Sequence, residues 1–141
     1  MPTSCPFCAY AAGFYPGELI VYEDDDVLVV PSKHQKADNH GHCLVATRDH
    51  IPNVYDLPPE VAAPVLRAVS AAARASRKAF GADGVSVRQN NEPAGGQDVF
   101  HLHFHVVPRF VGDRFERGPY ETVEEHRRIE LAAALRRCWA V

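Results

Sequence analysis

The stretch His101-Leu102-His103-Phe104-His105-Val106-Val107-Pro108 decides how the rest of the chain is read. In an extended strand successive side chains alternate between faces, and residues two apart share a face at a spacing of about 6.5–7 Å. His101, His103 and His105 therefore share one face, while Leu102, Phe104 and Val106 share the other. The apolar face belongs against a core, and the imidazole row faces something polar. One histidine on such a strand is ordinarily a satisfied core residue; a row in alternate register is not a packing accident. Just upstream runs Asn90-Asn91-Glu92-Pro93-Ala94-Gly95-Gly96-Gln97-Asp98. A glycine-rich loop alone is usually a turn, but paired glycines also permit close backbone approach, and successive free N–H groups can cradle an anion. Loop and row together suggest a phosphate held by backbone donors beside a neutral imidazole nucleophile.

Outward from this strand, Glu18–Glu23 (ELIVYE) and Asp26–Pro31 (DVLVVP) flank Asp24 and Asp25 and predict a hairpin. His42–Thr47 (HCLVAT) and Gly84–Gln89 (GVSVRQ) supply two further strands, and His101–Pro108 makes the fifth. Between the third and fourth, Val61, Val65, Val69, Ala72, Ala73 and Phe80 recur at helical spacing within Leu57–Phe80. Asp56 is placed to cap that helix, Pro58 and Pro59 suit its first turn, and Gly81 and Gly84 end it. Pro64 removes a backbone donor and predicts a kink or a late start. A second helix is expected from Thr122 to about Trp139, with Thr122 and Glu125 as a capping box and Leu131, Leu135 and Cys138 on one face. The expected fold class is α+β: a five-stranded sheet, one long central helix and a C-terminal helix.

Composition agrees with one ordinary domain. The chain has 141 residues, 46% hydrophobic and 23% charged, enough for a core without disulfides. Fifteen Lys and Arg against eighteen Asp and Glu give a net charge of -3, which argues against a general nucleic-acid binder. No run approaches the roughly 18–20 apolar residues of a membrane span, and residues 1–13 lack the pattern of a secretory signal. A cytoplasmic setting is the expectation, in which Cys5-x-x-Cys8 reads as a metal or redox pair more readily than as a disulfide. Eight His are many for a chain of this size.

Gly95–Arg109 follows the pattern G-G-Q-x-V-x-H-x-H-x-H-φ-φ-P-R and resembles the signature of the histidine triad (HIT) family. The resemblance extends over almost the whole chain: Cys5-Pro-Phe-Cys8, Val21–Asp25, Gly41–Val45 and Asp49-His50-Ile51 match, in order, segments of the zinc-containing bacterial members. Fragile-histidine-triad hydrolases share the Pro-Arg after the triad. The resemblance implies a single HIT domain over 1–141 that forms a homodimer through the long helix and neighbouring strands. It also implies nucleotidyl transfer from nucleoside phosphoramidates or dinucleoside polyphosphates to water. His103 takes the nucleophile role and His105 assists at the phosphate. Asn90, Gln97 and His42 fall at substrate-contacting positions. Cys5, Cys8, His50 and His101 form a two-cysteine, two-histidine set suited to a structural zinc that ties residues 1–13, an N-terminal arm, to the catalytic strand. Cys43 and Cys138 read as small core residues.

Two positions depart from the family pattern. Asp98 stands where Ser or Thr is usual, and a carboxylate there repels phosphate unless it is turned away, protonated or bridged by a cation. It is a candidate substrate contact and, if protonated, an acid for the leaving group. His34 stands by spacing where relatives carry a ribose-binding Asp, with Asp38 shifted by four, so sugar recognition is altered or the loop varies freely. Two other readings follow from the same residues. His101 and His103 could share a catalytic zinc in a metal-water hydrolase, or the scaffold could serve as a nucleotide sensor with little turnover.

Overall fold

The computed structural model describes residues 4–140. Of the arm, residues 1–3 lie outside the described residues. Seven strands and three α-helices follow in order: α1 (Pro6–Ala11), β1 (Tyr22–Glu23), β2 (Val27–Pro31), β3 (His34–Lys36), β4 (Cys43–Thr47), α2 (Pro59–Phe80), β5 (Gly84–Arg88), β6 (His103–Arg109), β7 (Tyr120–Thr122) and α3 (Glu125–Arg137). A five-stranded sheet has the order β1-β2-β4-β6-β5, every neighbouring pair antiparallel. This is the expected α+β class.

Strand periodicity sorts the side chains into two layers. Val27 and Val29 of β2, Cys43 and Val45 of β4, and Val106 of β6 pack with Val65, Ala68, Val69, Ala72 and Ala75 of α2. Ala132 and Leu135 of α3 close this layer from outside, and Cys138 and Trp139 pack against it. Small residues along α2 let the helix lie close to the sheet. The alternate residues Leu28, Val30 and Ala46 face the opposite way and meet Phe7 and Tyr10 of α1. In register, Ala46 opposes His103 and Leu44 opposes His105, so both imidazoles emerge on the α1 side. β2 is buried on both faces, which its unbroken apolar run demands. No described helix is long and apolar enough to cross a membrane.

Several expected boundaries shift, each for a local reason. The first strand shrinks to Tyr22–Glu23 because residues 17–19 form a 3-10 turn, while Asp24 accepts from the N–H groups of Asp26 and Val27 to make the hairpin turn. α2 starts at Pro59 and runs unbroken through Pro64, so there is no late start. Asp56 does not cap it; Pro58 is the N-cap and makes no side-chain bond. Gly81 ends α2 in the left-handed conformation at φ 63°, as expected. The Thr122–Glu125 capping box does not form, because Thr122 belongs to β7, which pairs with β3 in a two-stranded ribbon. α3 starts at Glu125 and ends at Arg137, short of Trp139, which stacks on Tyr22 at 5.1 Å.

The turn into β4 sets the height of His42. Gly41 has φ +121°, and a Cβ there would lie 2.3 Å from the Phe80 ring. Gly41→Ala therefore combines backbone strain with overpacking, and thermal or urea unfolding is expected to show a loss of about 3 kcal/mol. A loss below about 1 kcal/mol would mean that Phe80 moves aside freely.

Candidate functional site

β6 carries His103 and His105 to the floor of a cleft, and hydrogen bonds fix which nitrogen of each ring is free. His103 Nδ1 lies 2.6 Å from the His101 carbonyl, a bond only an Nδ1–H can make, so the proton sits there and Nε2 keeps its lone pair. His105 Nδ1 lies 2.9 Å from His42 Nε2. His42 Nδ1 is buried with no partner. An orphaned buried N–H is costlier and rarer than an orphaned lone pair. The proton of His42 therefore sits on Nε2 and donates to His105 Nδ1, which leaves the His105 proton on Nε2. The floor presents one nucleophilic nitrogen, from His103, beside one donor, from His105.

Burial, reinforced by the neighbouring rings, pushes His42 down to about 3 and His105 down to about 4. Both are neutral near pH 7. An unfolded chain protonates these rings from about pH 6.5 downward. The folded state binds fewer protons between that pH and the folded values, so stability is full above about pH 7 and is lost as pH falls through this window. Each ring contributes a slope of up to about 1.4 kcal/mol per pH unit. Melting temperatures from pH 7.5 to 5 check this; the decline must be shallower in His42→Gln, and an unchanged decline would contradict the assignment.

The glycine-rich loop is built differently from the simple cradle expected. Gln97 was expected at the phosphate, but both its amide hydrogens are used, at 2.6 Å to the Pro52 carbonyl and 3.0 Å to that of Val99. Its carbonyl accepts from the N–H of Glu92 at 2.7 Å. Gln97 braces the loop instead, and it holds Glu92 at the positive φ of 66°. Asn90 reaches the cleft beside Gly96. Asp98 projects outward, 74% exposed, with one carboxylate oxygen 3.7 Å from His103 Nε2 and 2.9 Å from the N–H of Val99. A proton on the His103 ring, ahead of the opposing effect of burial, would hold this carboxyl down at about 2; with Nε2 bare that pull is absent, and an exposed carboxyl is still ionised near pH 7. It has no proton to give at neutral pH, so a general-acid role falls away.

Two lobes open from the floor. The larger, about 250 Å³, has an apolar wall of Phe7, Tyr10, Tyr15, Val30 and Leu44, with His34 at its rim and His103, His105 and Asp98 at its base. The smaller, about 160 Å³, is lined by His42, Arg88, Asn90, Gly96, Asp98, His105, Phe115 and Tyr120. Sequence reasoning missed the aromatic wall of α1 and the Arg88, Phe115 and Tyr120 side. Phe7 and Tyr10 at i and i+3 were a usable signal of a packed helix face. Tyr120 arrives only through β7, whose pattern carries no alternation.

His101 departs from its neighbours. β6 begins two residues later than expected, because the chain turns at Val99–His101, where the N–H of His101 bonds the Val99 carbonyl. Its ring is fully buried, 5.2 Å from that of Phe7. His101 Nδ1 lies 3.3 Å from Cys5 Sγ, 3.6 Å from Cys8 Sγ and 3.2 Å from His50 Nδ1, and Cys8 Sγ lies 3.3 Å from His50 Nδ1. A tetrahedral zinc with bonds of about 2.0 Å to N and 2.3 Å to S has ligand-to-ligand edges of about 3.3–3.8 Å. The edges here come within about 0.2 Å of that figure, and all four ligand atoms lie within 4.8 Å of one another. His101 Nε2–H donates to the Thr47 carbonyl at 2.6 Å, which frees Nδ1 for the metal. His101 Nδ1 faces Cys5, Cys8 and His50 while its Nε2 is taken by Thr47, so His101 and His103 fall in separate convergences, which disfavours the shared catalytic metal of a metal-water hydrolase. Asp98, His103 and His105 make a second, looser convergence.

Comparison with known proteins matches this arrangement. A family model described as the HIT domain matches residues 17–112. The protein named hit from Bacillus subtilis is 41% identical over 113 residues, covering 79% of this chain and 76% of that protein. Adenylylsulfatase HINT3 of Arabidopsis thaliana is 35% identical over 109 residues, covering 77% of this chain and 54% of its own, so this chain spans about half its length. A crystal structure of a zinc-bound histidine triad family protein from Mycobacterium smegmatis superposes with a TM-score of 0.79 at 34% identity, covering 96% of this chain and 92% of that one. By matched family model, sequence and fold, the chain belongs to the histidine triad (HIT) family.

Proposed function

We propose that this protein is a nucleotidyl hydrolase or transferase that cleaves at the α-phosphate of a nucleoside phosphoramidate or dinucleoside polyphosphate through His103. The observation that carries this reading is the bond from His103 Nδ1–H to the His101 carbonyl, which points an unprotonated Nε2 into the cleft. The apolar lobe takes the nucleoside, with His34 at the sugar edge. His103 Nε2 attacks phosphorus, the N–P bond forms, and the bond to the leaving group breaks. The nucleotidyl ring keeps its Nδ1–H and is cationic; the His101 carbonyl stabilises that charge. His105 Nε2–H donates to a nonbridging oxygen. Water then displaces the histidine, releasing a nucleoside monophosphate and a proton. Asn90 contacts the phosphate or sugar.

Cys5, Cys8, His50 and His101 hold a structural zinc in this reading. The metal ties α1, and so the wall of Phe7 and Tyr10, to the catalytic strand. A reducing compartment such as the cytoplasm keeps the thiols available as ligands. Two copies pair through α2 and the edge strand β5, where Leu66 and Val87 are exposed. Mass spectrometry of protein quenched during turnover tests the mechanism: a nucleotide adduct on His103 is expected. Turnover with no adduct and no dependence on His103 would remove the covalent reading; no turnover of any nucleotide substrate would leave a sensor.

A further inference from the structure

We propose that Asp98 is a specificity-determining residue that selects substrates by the charge of the leaving group, favouring a cationic amine and disfavouring a polyphosphate. The inference rests on the phosphoryl-transfer reading above and deepens it. Asp98 stands where both lobes meet, and it also borders a third opening with Cys5, His50 and Phe100. All three openings, the candidate exits for a leaving group from a phosphorus attacked by His103 Nε2, are thus bordered by Asp98.

The carboxylate is held in place by the molecule itself. One oxygen accepts from the N–H of Val99 at 2.9 Å and lies 3.7 Å from His103 Nε2. It thereby occupies the Val99 N–H, a donor that a phosphate oxygen could otherwise use. An anionic leaving group arriving there must displace the carboxylate and then stand beside it. Two unit charges about 4 Å apart interact by about 1 kcal/mol in water and more in a partly enclosed cleft. An amine leaving group reverses the sign: its N–H donates to the carboxylate, and any ammonium it carries, or becomes on protonation after release, is attracted to it. In balance, His103 Nε2 forms the N–P bond, the P–N electron pair leaves on the amine, and that nitrogen takes a proton from water. Arg88, which lines the smaller lobe with Asp98, does not cancel its charge, because it is already paired with Glu116.

A charge series with one nucleoside tests this. Adenosine 5′-phosphoramidates of ethylenediamine (cationic) and propylamine (neutral) are compared with diadenosine triphosphate (anionic). Wild-type kcat/KM is expected to fall in that order over at least about 100-fold, and the isosteric Asp98→Asn to narrow the cationic-to-anionic ratio at least about tenfold. Dissociation constants measured on His103→Ala protein must show the same order, narrowed by adding Asp98→Asn and by raising salt. A ratio unchanged by Asp98→Asn in both measurements overturns the proposal. Loss of His103-dependent turnover with the binding order intact instead overturns the catalytic reading and spares this one.

Discussion

His103→Ala is expected to lower kcat/KM for nucleotide release by at least about 10⁴-fold, because it removes a covalent nucleophile and not merely a contact. No neighbour can replace it. His105 holds its proton on Nε2 and accepts a hydrogen bond at Nδ1 from His42 Nε2–H, so it has no free lone pair aimed at phosphorus. Asp98 has a free pair but carries a charge that repels phosphate. Water admitted by the truncation must attack in one step, without the division into two easier displacements. Binding is a different matter. The nucleoside lobe is walled mainly by α1 and β2, so affinity for adenosine monophosphate is expected to change by less than about tenfold. The split between lost turnover and kept binding is the diagnostic. Residual activity above about a tenth of wild type, with zinc content and melting temperature unchanged, would place the nucleophile elsewhere.

The parts legible in sequence are those that follow from periodicity. The apolar runs at residues 27–31 and 43–47 and the helical spacing of Val65, Val69 and Ala72 place the two-layer core. Alternation in residues 103–106 puts His103 and His105 on the face opposite Val106. The Cys-x-x-Cys spacing and the family resemblance made the candidate metal set legible despite sequence separations of 42 to 96 residues between its contacting pairs. What stayed hidden depends on nonlocal competition. Thr122 looks like a helix cap until β3 claims its backbone, and a three-residue polar strand such as His34–Lys36 has no pattern to read. Gln97 looks like a phosphate donor because its residue type allows it; only the positions of the Pro52 and Val99 carbonyls show both its hydrogens taken. Pro64 is tolerated inside α2, whose other contacts offset one missing bond. The tautomers of His42, His103 and His105 lie further still from sequence, because each is set by hydrogen-bond partners whose positions only the fold fixes.

Removing the metal should have the second large effect, on stability first and on activity through it. Cys8→Ser is expected to abolish stoichiometric zinc and to lower the melting temperature by more than about 10 °C. Structural zinc sites supply on the order of 10 kcal/mol of apparent binding, and each kcal/mol shifts a domain of this size by roughly 3–5 °C. The shift should fall short of that full product, because α1 is also held by Phe7 and Tyr10, 3% and 8% exposed, and keeps part of its docking without metal. Without metal, burial and the neighbouring Cys5 push the Cys8 thiol up to about 11. Zinc must displace that proton, so affinity falls as pH falls. The route to activity runs through His101, whose ring faces the Cys5, Cys8 and His50 set that could hold the metal and whose carbonyl fixes His103 Nδ1–H. Freed of metal, His101 loosens that carbonyl, and α1 releases the aromatic wall. kcat should fall about tenfold and KM should rise, since transition-state positioning and uniform binding are both damaged. A structural metal also leaves slowly: during incubation with a chelator, activity and melting temperature must decline together, and added zinc must restore both. Instant loss of activity with the melting temperature intact would instead make the metal a participant in the chemistry, and full stability of a metal-free preparation would show that α1 docks without it.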